Sequence, residues 1–149
     1  MNIKLFTELT DEIETQIEQL FDLCGGYSQR VFDYILCGRD VLFCMAYQGD
    51  MLVATSIGYV TRPGIFESWV GAVHPDYRSK GIGLELQLAQ HAHCQGNGIH
   101  FIETITSNDN FPMQLINLKT GMKIVGMICD KPDEIKLKFT KCLQTIDSE

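Results

Sequence analysis

The sequence predicts one mixed α/β domain whose sheet is mostly antiparallel and contains one parallel pair of strands. Three consecutive strand-like runs joined by short turns occupy residues 41–73. A succession of strand, helix and strand then spans residues 65–106, and a crossover of that kind normally joins parallel neighbours. Two further strand-like runs follow. A chain of 149 residues is long enough for a single domain, residues 1–149, with its own core.

The first part of the chain carries one strand signal and two helix signals. Residues 3–7 are predicted to form a short strand, and Thr10 is a typical N-cap for a helix that ends at Gly25-Gly26. Ser28 is the N-cap of a second predicted helix, which ends before Gly38. The apolar face of this second helix consists of Val31, Phe32, Ile35 and Leu36.

The middle of the chain is predicted to form three antiparallel strands. Runs of β-forming residues at 41–47 and 51–60 are separated by turn residues at 48–50, which indicates a hairpin. The sequence Thr61-Arg62-Pro63-Gly64 is a second turn. The run at residues 65–73 is therefore expected to pair with the strand before it.

The last third of the chain is predicted to contain two helices and three strands. Apolar residues from Leu84 onward indicate a helix that Gly96-Asn97-Gly98 closes, and residues 99–106 form the strand after it. The remaining predicted elements are a helix from Asn108-Asp109-Asn110 to Gly121 and strands at residues 122–129 and 135–139. The whole prediction comprises seven strands and about four helices.

Composition and charge limit the classes of function. The formal net charge is -7 and the acidic residues are spread along the chain, which argues against nucleic-acid binding. The six cysteines include no Cys-x-x-Cys pair, so reduced thiols in a cytoplasmic protein are expected. No apolar run approaches the length that crosses a membrane.

The sequence Arg78-Ser79-Lys80-Gly81-Ile82-Gly83 lies between a predicted strand and a predicted helix. The first N–H groups of a helix have no partner within it and carry the positive end of its dipole, so a loop leading into them can hold a phosphate. The glycines let the backbone approach an anion, and Arg78 and Lys80 add positive charge. The alternative is a helix start whose glycines only permit close packing. The pattern favours the phosphate site.

The last third of the chain also contains a box of the form Asn110-x-x-Met113-x-x-x-Asn117-x-x-x-Gly121. In this box, in the Arg-x-x-Gly-x-Gly loop and in the order of its elements, the chain resembles the GNAT superfamily of N-acetyltransferases over essentially its whole length. The resemblance implies a GNAT domain whose parallel strands splay around acetyl-CoA. It implies that the loop binds the pyrophosphate through main-chain N–H groups and that the preceding strand and Asn110 contact the pantetheine arm. The cofactor-binding residues implied in this way are Ala72, Val73, Arg78, Ser79, Lys80, Gly81, Ile82, Gly83 and Asn110.

Asn117 departs from the common form of this box, in which a tyrosine protonates the departing thiolate. A subset of the superfamily also resembles this chain in carrying Asn there. A thiol with a pKa of about 8.5 is a good leaving group, and an amide N–H can stabilise its thiolate without proton transfer. Asn117 is thus a candidate catalytic residue. The alternative is a polar helix residue that only hydrogen-bonds locally.

Glu67 is the candidate general base. It interrupts an otherwise apolar strand ahead of Val73, and resemblance to the histone-lysine-acetylating branch implies a base at this spacing. The chemistry requires one, because an alkylammonium must lose a proton before its nitrogen can attack a thioester. The alternative for Glu67 is a charge that only faces solvent or pairs with a lysine. Glu103 on the adjacent strand is the second candidate.

Other polar residues are given smaller roles. His91, His93 and Cys94 suggest a metal site, but residues two apart on a helix point in different directions, so we expect no metal and a surface position. His74 precedes a proline and is expected to be structural. Tyr27 falls in a region that the resemblance places at the acceptor site.

These features together predict an enzyme that moves an acetyl group from acetyl-CoA to a primary amine by direct attack in a ternary complex. A competing hypothesis is a non-catalytic acyl-CoA-binding module with the same fold. The acceptor is a small-molecule or peptide amine, and the acidic charge balance favours a cationic one. No nucleic-acid or membrane partner is expected, and the resemblance is compatible with a homodimer.

Overall fold

The computed structural model describes residues 1–26 and 38–143. Its elements, in chain order, are β1 (Asn2–Phe6), α1 (Asp11–Leu23), β2 (Val41–Gln48), β3 (Met51–Arg62), β4 (Ile65–Val73), a short 3-10 helix (Pro75–Tyr77), α2 (Ile82–Gln95), β5 (Phe101–Ser107), α3 (Phe111–Lys119), β6 (Lys123–Lys131) and β7 (Glu134–Cys142). Tyr27, the predicted helix after Ser28 and the last six residues, 144–149, lie outside the described part.

The seven strands form one sheet in the order β1-β2-β3-β4-β5-β7-β6. Neighbouring strands are antiparallel except β4 and β5, which the α2 crossover joins as a parallel pair. The predicted fold class is therefore confirmed. Strand order and strand direction follow from the short turns and the single crossover that the sequence contains.

Helices cover the two faces of the sheet. On one face, Ile17 and Phe21 of α1 pack with Phe43 and Ile57 in one apolar cluster. On the opposite face, Leu86 of α2 packs in a second cluster formed mainly by β2, β3, β5 and β7. Because successive residues of a strand point to opposite faces, the residues of β5 alternate between the α1 side and the α2 side. In β4 a register shift interrupts this alternation, and Trp69 and Val70 both pack on the α1 side.

The parallel pairing of β4 and β5 is short. It runs only from Ile65 opposite Phe101 to Glu67 opposite Glu103, although both strands continue beyond these residues. Just past this point the hydroxyl of Thr104 donates to the carbonyl oxygen of Ser68, at 2.7 Å. The strands then separate, and the gap between their ends is the splay that the resemblance implies.

Local capping fixes the ends of the helices. Thr10 caps α1, its Oγ1 accepting from the N–H of Ile13 at 3.2 Å, as predicted. The helix expected to begin at Leu84 begins two residues earlier, at Ile82, because Gly81 adopts a φ of 80° and serves as its N-cap. His74 caps the 3-10 helix, its Nδ1 accepting from the N–H of Asp76, so its structural role is confirmed.

No helix within residues 1–26 and 38–143 is both long enough and apolar enough to cross a membrane.

Candidate active site

A cavity of about 810 Å³ occupies the gap between β4 and β5 and continues along the N-terminal half of α2. Its volume is within the range of about 300–1,000 Å³ that is typical of small-molecule and cofactor sites. Eight of the nine predicted cofactor-binding residues line it: Ala72, Val73, Arg78, Ser79, Gly81, Ile82, Gly83 and Asn110. The structure therefore brings the loop, the end of β4 and the start of α3 to one place.

The loop presents the start of α2 to this cavity. The hydrogen bond from the N–H of Glu85 to the carbonyl oxygen of Gly81, at 3.1 Å, begins the helical pattern of α2. Gly81 has no side chain that could cap the N–H groups preceding that of Glu85. Ser79 has a φ of 63°, so two residues of this turn take the left-handed conformation. Such a turn followed by uncapped N–H groups is a common anion-binding arrangement.

The two cations of the loop differ in position. Arg78 lines the cavity, and its Nε donates to the carbonyl oxygen of Val73 at 3.1 Å, which ties the loop to the end of β4. Lys80 does not line the cavity, and its Nζ lies 5.2 Å from the ring centroid of Tyr77. Of the two loop cations, Arg78 is therefore the one that faces the cavity, and Lys80 lies outside its lining.

The two glycines of the loop serve different purposes. A Cβ on Gly81 would meet nothing within 4 Å, so its requirement is the positive φ alone. A Cβ on Gly83 would lie 3.0 Å from Cδ1 of Ile116, so this glycine permits close packing of α2 against α3. The anion-site interpretation thus suits Gly81, and the close-packing alternative suits Gly83.

Asn110 occupies the N-cap of α3. Its Oδ1 accepts from the N–H of Met113 at 3.2 Å, and the residue lines the cavity. Its backbone N–H donates to Ser107 and its backbone carbonyl accepts from Gln114, both at 3.1 Å, so the side-chain amide nitrogen is the donor of Asn110 that these contacts leave unused.

Asn117 is fully buried and does not line the cavity. Its Oδ1 accepts from Nε2 of Gln87 at 3.1 Å, and its Nδ2 donates to Oγ1 of Thr106 at 3.0 Å. Both halves of the amide are therefore engaged with the protein. This geometry matches the local hydrogen-bonding alternative and does not place the amide against a departing thiolate.

Thr120 determines the direction of these hydrogen bonds. Its hydroxyl lies 3.0 Å from the backbone carbonyl oxygens of both Ile116 and Asn117, so its single proton is donated to the backbone. Its oxygen then accepts from Nε2 of Gln87, at 2.9 Å. That contact orients the Gln87 amide, which in turn requires Asn117 to accept through Oδ1 and to donate through Nδ2.

Thr106, at the far end of this network, lines the cavity. It is 5% exposed and lies on the α2 side of β5. A threonine in a strand is ordinary, so no sequence pattern marks this residue as part of a site. Only its position beside Asn117 distinguishes it.

Glu67 lies on the other side of the sheet. It is opposite Tyr59 in β3, a residue of the α1-side cluster, whereas the preceding Phe66 belongs to the α2-side cluster. Burial raises the pKa of Glu67, and the neighbouring Glu103 raises it further, while Lys138 and Arg39 oppose the increase. Glu67 does not itself line the cavity, but Ser68 and Trp69, which follow it, do.

The surroundings of Glu67 and Glu103 are not acidic, in contrast to the chain as a whole. An oxygen of Glu103 lies 3.8 Å from Arg62 and 3.7 Å from Lys138, and the guanidinium of Arg39 lies 4.6 Å from the ring centroid of Tyr59. Among the described residues, three cations therefore accompany these two carboxylates. The overall charge of -7 does not describe this part of the surface.

His91 and Cys94 are buried, at 3% and 1% exposure, so the expected surface position is wrong for both. Because α2 packs against the sheet and also contacts α3, its buried surface is wider than one face. Nδ1 of His91 lies 3.5 Å from Nζ of Lys141, and burial together with this cation lowers the pKa of His91 to about 4. Within the described part of the chain no group of His, Cys, Asp and Glu is arranged to hold a metal ion.

Cys24 is a further wall residue that the sequence analysis did not select. It follows the last turn of α1, lines the cavity, and its Sγ lies 3.4 Å from the carbonyl oxygen of Val73. The contact joins the α1 side of the cavity to the end of β4.

Solved structures with similar folds cover nearly the whole chain. The ribosomal-protein-S18-alanine N-acetyltransferase of Escherichia coli has a TM-score of 0.83 at 13% identity, covering 99% of this chain and 98% of that one. The aminoglycoside 6'-N-acetyltransferase of Enterococcus faecium has a TM-score of 0.80 at 17% identity, with coverage of 97% and 98%. A Bacillus subtilis acetyltransferase in complex with CoA has a TM-score of 0.72 at 22% identity, with coverage of 95% and 98%. At these identities the similarity establishes the fold.

Sequence comparison identifies the family. No curated protein matches this chain. The model of the acetyltransferase (GNAT) family matches residues 7–118, which include β4, the loop, α2 and most of α3. Because that match covers most of the sequence, this chain belongs to the GNAT family of acetyltransferases.

Proposed function

We propose that this protein transfers an acetyl group from acetyl-CoA to a primary amine, by direct attack of the amine on the thioester in a ternary complex. One observation carries the proposal: the cavity extends from the start of α2, through the gap between β4 and β5, to Trp69 and Ala72, which pack on the α1 side. A thioester lying in this gap is accessible from both faces of the sheet. The amine and the departing thiol then occupy opposite faces.

Coenzyme A would be held from the α2 side. The pyrophosphate would accept from the N–H groups of Ile82 and Gly83 and pair with Arg78, with Lys80 adding attraction at longer range. Beyond Glu67 the backbone ladder between β4 and β5 stops, although the Thr104 hydroxyl still donates to the carbonyl oxygen of Ser68. The Val73 carbonyl oxygen already accepts from Nε of Arg78 and contacts Sγ of Cys24. We propose that the other backbone groups of residues 71–73 on that edge pair with the pantetheine amides, as an added strand would.

Glu67 would act on the α1 side as the general base. The ammonium gives one proton to Glu67, directly or through a water, and the nitrogen then bonds to the thioester carbon. As the tetrahedral intermediate collapses, the C–S bond breaks and coenzyme A leaves as its thiolate. The nitrogen releases its second proton to solvent. The raised pKa of Glu67 suits this task, because a stronger base accepts a proton from an ammonium more readily.

Asn117 would contribute on the leaving-group side through its neighbours, since both of its amide groups are already hydrogen-bonded. A direct contact with the thiolate would require the Asn117 side chain to give up one of these bonds. The role that we assign to Asn117 is to position the residues that line the cavity beside it.

The charges around Glu67 favour one class of amine acceptor over another. Among the described residues, Arg62 and Lys138 lie within 4 Å of Glu103 and Arg39 favours the ionised form of Glu67, so a polycationic amine gains little from this surface. An amine that also carries an anionic group is the better match, because its ammonium pairs with Glu67 while its anion pairs with a cation. We therefore favour an amino-acid-like or acidic peptide acceptor over a polyamine.

The compartment that we propose is the cytoplasm. Among the described residues, Cys24, Cys44, Cys94 and Cys129 are free thiols, as expected where thiols stay reduced.

The experiment that tests the function is a thiol-release assay with acetyl-CoA over polyamines, amino acids, amino sugars and peptides. We expect release that depends on the amine, with an acetylated product detected by mass spectrometry. Coenzyme A binding measured by calorimetry is the control. Tight binding without release from any acceptor class would replace the enzyme by the non-catalytic acyl-CoA-binding module.

A further inference from the structure

We infer that Thr106 is a further catalytic residue, whose hydroxyl donates a hydrogen bond to the sulfur of coenzyme A as the thiolate departs. The inference rests on the proposed function and names a group that serves the leaving-group side of that site. Thr106 lines the cavity on β5, and Asn117 is the residue that positions it.

The direction of the buried network leaves the Thr106 proton available. Thr120 gives its proton to the backbone, so Gln87 must donate to Thr120 and to Asn117 through Nε2. Asn117 must then donate through Nδ2, and the Thr106 oxygen accepts that bond at 3.0 Å. A hydroxyl has one proton and accepts through its lone pairs, so this acceptance does not use the proton. Among the described residues, no group accepts a hydrogen bond from the Thr106 hydroxyl.

The place of Thr106 along β5 suits the leaving sulfur. Thr104, two residues earlier on the same face, uses its hydroxyl to reach the carbonyl of Ser68 where the strands begin to separate. Thr106 follows Thr104 on the same face of β5, where the strands have separated, and so lies in the gap on the α2 side, where coenzyme A would lie. Glu67 is on the opposite face, so the base and this donor flank the thioester from two sides.

The chemistry needs a donor at this point and no proton transfer. When the C–S bond breaks, the electron pair goes to sulfur and a thiolate forms. A threonine hydroxyl is far too weak an acid to protonate it, but an O–H donor in a poorly hydrated cavity stabilises the negative charge. Thr106 thus performs electrostatically what a titrating side chain does by proton transfer.

The test is the pKa of the coenzyme A thiol when bound, measured from the ultraviolet absorbance of its thiolate during a pH titration. The complex with desulfo-coenzyme A is the blank, because it carries the same protein cysteines. We expect the Thr106→Val variant to raise the pKa of the bound thiol by about one unit, a tenfold change in its acid dissociation constant. Thr106→Ser should restore the wild-type value.

Thr104→Val is the matched control, since it also removes a buried hydroxyl from this face of β5. The proton of the Thr104 hydroxyl is already donated to Ser68, so it is not available to the sulfur. It should leave the thiol pKa at the wild-type value. If Thr106→Val does not fold, Thr106→Ala replaces it, because it removes the same hydroxyl without adding a charge near the sulfur and should raise the thiol pKa similarly.

An unchanged thiol pKa in the Thr106→Val variant, or in Thr106→Ala where that variant replaces it, would overturn the inference, and so would an equal shift in Thr104→Val. The proposed function fails in a different way. If the wild-type protein does not bind coenzyme A, there is no bound thiol to titrate, and the inference falls with the function on which it rests.

Discussion

Glu67 and Glu103 lie opposite each other at the last pair of the parallel ladder between β4 and β5. The charge of Glu103 raises the pKa of Glu67, which burial has already raised, while Lys138 and Arg39 oppose the shift. Glu103 itself approaches Arg62 and Lys138. The candidate base is therefore adjusted by residues on neighbouring strands, and each of them can be changed separately.

The acid limb of the pH–rate profile should move when these neighbours are changed. Glu67 must be ionised to accept a proton, and its pKa is raised, so kcat/KM should begin to fall at a higher pH than for an ordinary glutamate. Lys138→Met removes a cation that favours the ionised form and should move the limb to higher pH. Glu103→Gln removes a like charge and should move it to lower pH. If the acid limb moved in the same direction in Lys138→Met and in Glu103→Gln, the assignment of Glu67 as the base would be contradicted.

The preference for an anionic group on the acceptor can be tested with Lys138 and Lys136. Both lie on the same face of β7 and have side chains that are 40% exposed. Lys138 lies 3.7 Å from Glu103, beside the candidate base, whereas Lys136 is paired with Glu134 at 3.2 Å. The Lys138→Met variant should raise KM about fivefold for an amino acid acceptor and little for its amide, within the usual size of exposed charge pairs. Lys136→Met should change neither. A polyamine turned over more efficiently than any amino acid would contradict the preference.

Gly81 can be tested apart from general helix stability. The Gly81→Ala variant forces an alanine to a φ of 80° without a steric clash, and should weaken coenzyme A binding about tenfold while costing about 1–2 kcal/mol of folding free energy. Gly98→Ala is the matched control, because Gly98 has a φ of 76°, equally open space and a position after α2. It should lose similar stability and keep its affinity in calorimetry. Equal affinity in both variants would contradict the anion site.

His91 should make stability depend on pH. Its pKa in the folded protein is about 4, below the ordinary 6.5, so the unfolded chain takes up the proton first as the pH falls. The stabilisation is fully present above pH 6.5 and is lost progressively towards pH 4. Between pH 7 and pH 5 the wild-type protein should lose about 2 kcal/mol more unfolding free energy than His91→Gln, in urea titrations. Parallel losses in the two proteins would contradict the burial of a neutral His91.

The sequence was sufficient for the elements whose signals are local. The turns around Gly49 and Gly64 and the glycines after α2 gave the strand order, and the single crossover gave the parallel pair. Thr10 and Asn110 were identifiable as helix caps from residue type alone. These features depend on a few neighbouring residues, so the pattern carries them.

The features that the sequence did not provide depend on distant contacts. Where the β4–β5 ladder ends is set by pairing across the sheet and by the Thr104 to Ser68 contact. The burial of His91 depends on β7, which supplies Lys141 from fifty residues away. The role of Thr106 depends on the orientation of the Asn117 amide. No local periodicity encodes these relationships.

The turnover number of Glu67→Gln, compared with that of Glu103→Gln, tests the central claim most directly. Both variants remove one carboxylate at the same step of the ladder, so each is the control for the other. With a turned-over amine and saturating acetyl-CoA, we predict that Glu67→Gln lowers kcat about a hundredfold or more and removes the acid limb. Glu103→Gln should keep most of the activity. An unchanged kcat and pH profile in Glu67→Gln would contradict the account.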